Sequence, residues 1–268
     1  MDTGNRPQVA KLVEPAERDS PPLAHWPWLL VAGAWALALL AAWTHQSYLI
    51  NHDYLIQESG LPWIAALIFF LICWQIMIAA MMLPSSLPLL FRFTRAVRPP
   101  HASIAAFLAG YAFTWTAFAA LAFLGDTGIH LLVNQWSWLA RHPWLIGAVT
   151  FAVAGVFQFS PLKRRSLLGC RGAFRQLPWP ARAEVYDTWR LGLHHGRCCL
   201  GSCWAFMLLM FGVGVGSPAW MAVLTGVMLV EKTVPGGRCL SPFVGIAALL
   251  LAALWLAHPA GLLLTIAG

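Results

Sequence analysis

The sequence predicts an all-α fold: a polytopic transmembrane bundle of about seven helices, with a cytoplasmic N-terminus and amphipathic helices at the membrane interface. Three observations predict it. The 268-residue chain is 59% hydrophobic and only 10% charged, with a mean hydropathy of +0.68, whereas a soluble domain carries about a quarter charged residues. Its apolar residues gather into runs, several of them near the roughly 20 residues needed to cross a hydrocarbon core of about 30 Å. Its Lys and Arg residues, finally, are distributed asymmetrically between alternate connections, as basic residues retained on the cytoplasmic face are.

Residues 1–24 mix Lys11 and Arg18 with Glu14, Glu17 and Asp19 and are broken by prolines. They lack the apolar content for a core and are expected to form a disordered cytoplasmic tail, with residues 25–268 as one helical domain. The first apolar run, Trp26 to Trp43, has no cleavage pattern of small residues and is expected to be a retained span. Further runs follow at Trp63 to Met82, Ser103 to Leu124, Pro143 to Phe159, Leu200 to Val215, Pro218 to Val230, and Pro242 to Ile266. The fifth and sixth are short and separated by a glycine-rich turn, so they read as a tilted hairpin or a re-entrant pair. Tryptophans such as Trp26, Trp28, Trp43, Trp63 and Trp144 stand at run ends, where an indole is half dry and half wet.

With these spans, all 17 basic residues except Arg141 fall on one face, which places the N-terminus inside and the C-terminus outside. The net charge of +7 then reflects loops facing anionic lipid and calls for no nucleic-acid partner. Two connections carry helical apolar spacing. Val185, Tyr186, Trp189 and Leu193 predict an interfacial helix that stops at Gly196; Ile129, Leu132, Val133 and Trp136 form a weaker version on the other side. Gly192 and Gly196 also show a small-xxx-small spacing, here a weak sign of dimerisation. Gln75, Thr114, Thr116 and Gln158 are polar groups in apolar runs and are expected to hydrogen-bond between helices.

The chemistry resides in sulfur. His194-His195-Gly196-Arg197-Cys198-Cys199 runs into Leu200-Gly201-Ser202-Cys203, and a helix there stacks Cys199, Cys203 and Met207 at i, i+4 and i+8, with Met210 close to the same stripe. In the second run Met77 and Met81 repeat the spacing beside Met82, with Pro84 ending the helix. Met228 and Glu231 close the sixth run at a similar expected depth. Thiolate and thioether donors favour Cu(I), while Zn(II) prefers closed Cys and His tetrahedra, so copper is the expected metal and zinc the weaker choice. The candidate ligands are Cys199, Cys203, Met207, Cys198, Met81, Met82, Met77, His195, His194, Met228 and Glu231. Methionine and free cysteine also serve as core filler, His194 and His195 as the polar end of an interfacial helix, and Glu231-Lys232 as an interfacial pair. Cys170, Cys198, Cys199 and Cys239 lie in cytoplasmic connections and Cys203 at a cytoplasmic span end, which argues against a disulfide framework. His45, His52, Asp53, Glu58 and His130 form a weaker outer candidate set. No phosphate-binding loop, nucleophile elbow or zinc-protease helix is present, so no enzyme activity is expected.

The ordered pieces Ala80-Met81-Met82-Leu83-Pro84, Gly110-Tyr111 with Trp115, Ala154-Gly155 through Gln158, Pro161-Leu162-Lys163, Cys170-Arg171, Gly196 through Trp204, Met207, Trp220-Met221 and Glu231-Lys232 carry a resemblance. Over about residues 74–237 the chain resembles a family of bacterial metal-binding integral membrane proteins, classed as a domain of unknown function and associated with a tyrosinase copper chaperone. It departs from that pattern at Ser202, where a further cysteine is common, and near Val215, where a methionine is expected. The resemblance implies metal binding and copper delivery in the bacterial inner membrane. The first expectation is therefore a Cu(I) chaperone passing its ion by ligand exchange to an acceptor copper enzyme. The alternatives are a metal or small-solute permease lined by Gln75, Gln158 and Glu231, and a structural membrane subunit without metal.

Overall fold

The computed structural model describes residues 26–44, 60–94, 100–142, 144–176, 185–213 and 217–257. The expected N-terminal tail lies outside them, as do His45, His52, Asp53 and Glu58. Every regular element among the described residues is helical: α1 (Trp26–Trp43), α2 (Trp63–Met81), α3 (Leu83–Thr94), α4 (Pro100–Gln135), α5 (Ser137–Ala140), α6 (Trp144–Phe157), α7 (Pro161–Gln176), α8 (Val185–Val213), α9 (Pro218–Thr233), a 3₁₀ turn (Gly237–Cys239) and α10 (Leu240–Ala257). Four of these segments are long and apolar enough to cross a membrane: α1, α2, α4, and α10 with its preceding turn. A fifth crossing results if α6 and the first part of α7, bent by 65° at a short break, count as one. Among the described residues the candidates thus number four or five where seven were expected, since neither α8 nor α9 is among the helices that qualify by length and composition.

Two expected boundaries are corrected. The outer amphipathic stretch around Ile129 is not a separate helix but the end of the 36-residue α4. Gly196 likewise does not stop a helix: α8 runs unbroken for 29 residues through the expected interfacial segment and into the fifth apolar run. Glycine breaks helices when nothing compensates its conformational freedom, but here its missing Cβ is used by a neighbour. A Cβ on Gly192 would collide with the carbonyl oxygen of Phe107, one on Gly110 with that of Trp189, and one on Gly196 would lie 2.7 Å from Thr114 Oγ1. The small-residue stripe thus draws α4 and α8 together within one chain.

The junction of α2 and α3 follows from Pro84. Proline has no N–H, so it offers no i→i−4 bond to the Ala80 carbonyl, and Trp35 Nε1 of α1 donates to that oxygen instead at 3.0 Å. Ser85 and Ser86 Oγ donate to the Met82 carbonyl at 2.8 and 3.3 Å. Met82 is therefore the C-cap of α2, at a break between two helices. Gln75 of α2 donates to Ala112 O at 3.1 Å and Thr116 Oγ1 at 2.6 Å, binding α2 to α4. Trp74, Trp115, Phe70, Phe107, Phe123 and Phe206 fill the interior, whereas Leu29, Ile64, Leu121, Phe243 and Leu250 are exposed on the outside. An outward apolar face of this extent suits a lipid surround.

Candidate metal centre

Three sulfur atoms converge in the interior from two directions. Helical spacing on α8 stacks Cys199 over Cys203, with Sγ atoms 4.0 Å apart. The break at Pro84 delivers the Met82 thioether, whose Sδ lies 4.0 Å from Cys199 Sγ and 3.6 Å from Cys203 Sγ. All three residues are buried. A point equidistant from the corners of a triangle with these sides lies about 2.2 Å from each, and a metal–thiolate bond is about 2.3 Å long. The spacing therefore suits one trigonally bound soft ion. It does not supply a closed tetrahedron of Cys and His: among the described residues no three His, Cys, Asp or Glu side chains come together to hold a metal.

A cation already lies against this triangle. Lys232 Nζ, carried by the last turn of α9, is 3.0 Å from Cys199 Sγ and 3.9 Å from both Cys203 Sγ and Met82 Sδ. Arg171 of α7 fixes the turn by donating from Nη2 to the Glu231 carbonyl at 2.8 Å and to that of Val234. An ammonium beside a thiol stabilises the thiolate, the form that binds metal. Tyr111 of α4 approaches Cys199 from the other side, its hydroxyl 3.1 Å from Sγ. An ion placed in the triangle would meet this ammonium.

The remaining candidates are placed differently. His195 Nε2 pairs with Ser86 Oγ at 3.0 Å, and its ring packs beside Phe107 and Tyr111, joining α8 to α3 and α4. Glu231 turns away from the sulfurs. Its Oε2 pairs with Lys163 Nζ at 2.8 Å and its Oε1 accepts from Ser241 at 2.7 Å, while Lys163 also donates to Gln158 and lies over the Phe206 ring. Met77, Met81, Met207 and Met228 are buried in the surrounding apolar core. His194 and Cys198 lie further out, Nε2 and Sγ 3.8 Å apart, with His194 exposed and Cys198 half-buried. On another helix His130 pairs with Asp126 at 3.4 Å. The pairing of Cys199 and Cys203 was legible from their spacing. The contact with Lys232 was not, since only the folded end of α9 brings it there.

The molecule so defined is an all-helical protein with a buried Cys–Cys–Met donor set and several helices apolar enough to cross a membrane. Residues 71–256 match the copper chaperone family PpoB2, and the chain belongs to that family. No curated protein and no solved structure matches it.

Proposed function

We propose that this protein is a Cu(I) chaperone of the bacterial inner membrane. It holds the ion on Cys199, Cys203 and Met82 and passes it to an acceptor copper enzyme. The sulfur triangle, whose centre is one metal–sulfur bond from each corner, carries this reading. Two thiols and a thioether form a soft set that selects Cu(I) over Zn(II), and the copper chaperone family supports the same cargo. In this reading the N-terminus and the basic connections face the cytoplasm, the side from which copper arrives.

Transfer is ligand exchange with copper remaining Cu(I). A donor on the acceptor binds the ion before one of the three sulfurs leaves, and Lys232 returns to the vacated triangle as the ion departs. The protein then acts as a carrier and not as an enzyme. The test is Cu(I) titration of full-length protein purified under reducing conditions, in competition with a Cu(I) chelator. Wild type is expected to bind about one ion tightly, and Cys199→Ser/Cys203→Ser to lose that affinity by more than about a hundredfold. Unchanged affinity in the double variant would remove the triangle as the site.

A further inference from the structure

The sulfur triangle takes two corners from α8 and the third from the break between α2 and α3, so its shape depends on the register between those elements. On α8, His195 stands one turn before Cys199; on the other side, Ser86 of α3 stands four residues after Met82. Met82 Sδ meets the two thiols at 4.0 and 3.6 Å, while Ser86 Oγ meets His195 Nε2 at 3.0 Å. The two segments therefore pass each other antiparallel, with a polar rung one turn away from the sulfur rung. Ser86 Oγ also donates to the Met82 carbonyl at 3.3 Å. With its single proton so used, Ser86 accepts from His195, which puts the imidazole proton on Nε2. Both residues are buried, and the ring packs against Phe107 and Tyr111 at centroid distances of 5.8 and 5.9 Å. Its other nitrogen, Nδ1, is buried with no hydrogen-bond partner among the described residues.

We propose that His195 is a positioning residue for the Met82 thioether: through Ser86 it holds the Met82 carbonyl, and with it the third sulfur, in register with the two thiols of α8. The role rests on the copper reading above and gives His195 the support of a ligand in place of ligation. A thioether needs such support more than a thiolate does. It is an uncharged, weak acceptor on an unbranched side chain with three rotatable bonds, so backbone position and packing alone decide where Sδ lies. The cysteines fix each other's placement by sharing one helix. Met82 has no such partner, since it is the C-cap of α2 at a break between two helices. Groups hydrogen-bonded behind a metal ligand orient it, and this rung stands behind the one ligand that its own helix does not hold. The bare Nδ1 makes the two ring nitrogens separable. A glutamine amide reaches Ser86 as Nε2 does, whereas an asparagine amide ends near Nδ1 and falls short.

The test is a double-mutant cycle on full-length protein, with Cu(I) affinity read by chelator competition in two backgrounds. In the wild-type background Ser86→Ala and His195→Asn are each expected to weaken binding about tenfold. X-ray absorption at copper should then count two sulfur neighbours where wild type has three. His195→Gln is expected to stay within about threefold of wild type and to keep all three sulfurs. In the Met82→Leu background the thioether is gone, so Ser86→Ala should cause no further loss of affinity. A merely structural role would weaken both backgrounds alike. Should Ser86→Ala fail to fold, His195→Asn carries the same pair of expectations. Equal losses in the two backgrounds, three sulfurs in a folded Ser86→Ala, or a nitrogen bonded to copper in wild type and lost in His195→Asn would overturn the positioning role and leave the two cysteines standing as ligands. Wild type that binds no Cu(I) tightly would overturn the chaperone reading, and the positioning role with it.

Discussion

Lys232 is the residue whose meaning changes most between sequence and structure. In the sequence it is a basic residue at the end of an apolar run, where a lysine ordinarily reaches for water. In the fold it is buried with its ammonium against Cys199, Cys203 and Met82. Helical periodicity explains why half of the site was legible: i, i+4 spacing puts Cys199 and Cys203 on one face whatever the surroundings. It does not say which neighbouring helix that face meets. Met77, Met81 and Met82 were therefore equivalent candidates by spacing, and the Pro84 break sets the Met82 thioether against the two cysteines. In the proposed copper reading the ammonium competes with an incoming ion, so Lys232→Met removes the competitor and adds a thioether of similar reach. The variant is expected to hold Cu(I) about tenfold more tightly, near 1.4 kcal/mol, and to release it more slowly to a chelator. Weaker binding in the same competition would show that the ammonium serves mainly to keep the thiolate ready.

At the scale of elements, the α4–α8 seam decides whether the site exists. Gly110, Gly192 and Gly196 let the two backbones approach, and that approach sets Tyr111 against Cys199 and His195 against Phe107. The small-xxx-small pattern was visible in the sequence, but its partner was not. A stripe of glycines specifies close packing without specifying whether the other surface belongs to a second copy or to the same chain. The expected stop at Gly196 failed for the same reason, since local propensity was outweighed by tertiary contact. Gly192→Ala adds one carbon against the backbone of α4, which cannot rotate aside as a side chain would. Overpacking of this kind costs about 1–3 kcal/mol. The expected result is a lower thermal midpoint together with weaker Cu(I) binding, while Gly226→Ala on α9, where a Cβ meets nothing within 4 Å, should change neither.

The whole molecule is held around the site by a charge pair that the apolar composition gave little reason to expect. Lys163 of α7, Glu231 of α9 and Ser241 of α10 meet in the interior, with Gln158 from the end of α6 closing the group. If the bent α6–α7 pair counts as one crossing, the candidate spans among the described residues number five and keep the parity of the expected seven. The two runs that fall short, in α8 and α9, are consecutive, so with five crossings every other connection keeps the side expected of it. Glu231 was read from sequence as either an interfacial carboxylate or a metal-assisting one, and its pairing with Lys163 makes a prediction that separates an architectural role from a ligand role. Removing one partner of a buried pair leaves the other charge uncompensated and costs about 3–5 kcal/mol, whereas replacing both by apolar residues of similar volume is often neutral or stabilising. Glu231→Gln is therefore expected to lower the thermal midpoint sharply, and Glu231→Met with Lys163→Met to recover most of it. Since Lys232 adjoins Glu231, both sets are to be assayed for Cu(I) affinity as well as for melting. Recovery of stability together with wild-type affinity in the double variant would make the pair a clamp joining α7, α9 and α10 around the sulfurs. A folded double variant that no longer binds Cu(I) would instead return Glu231 to the site.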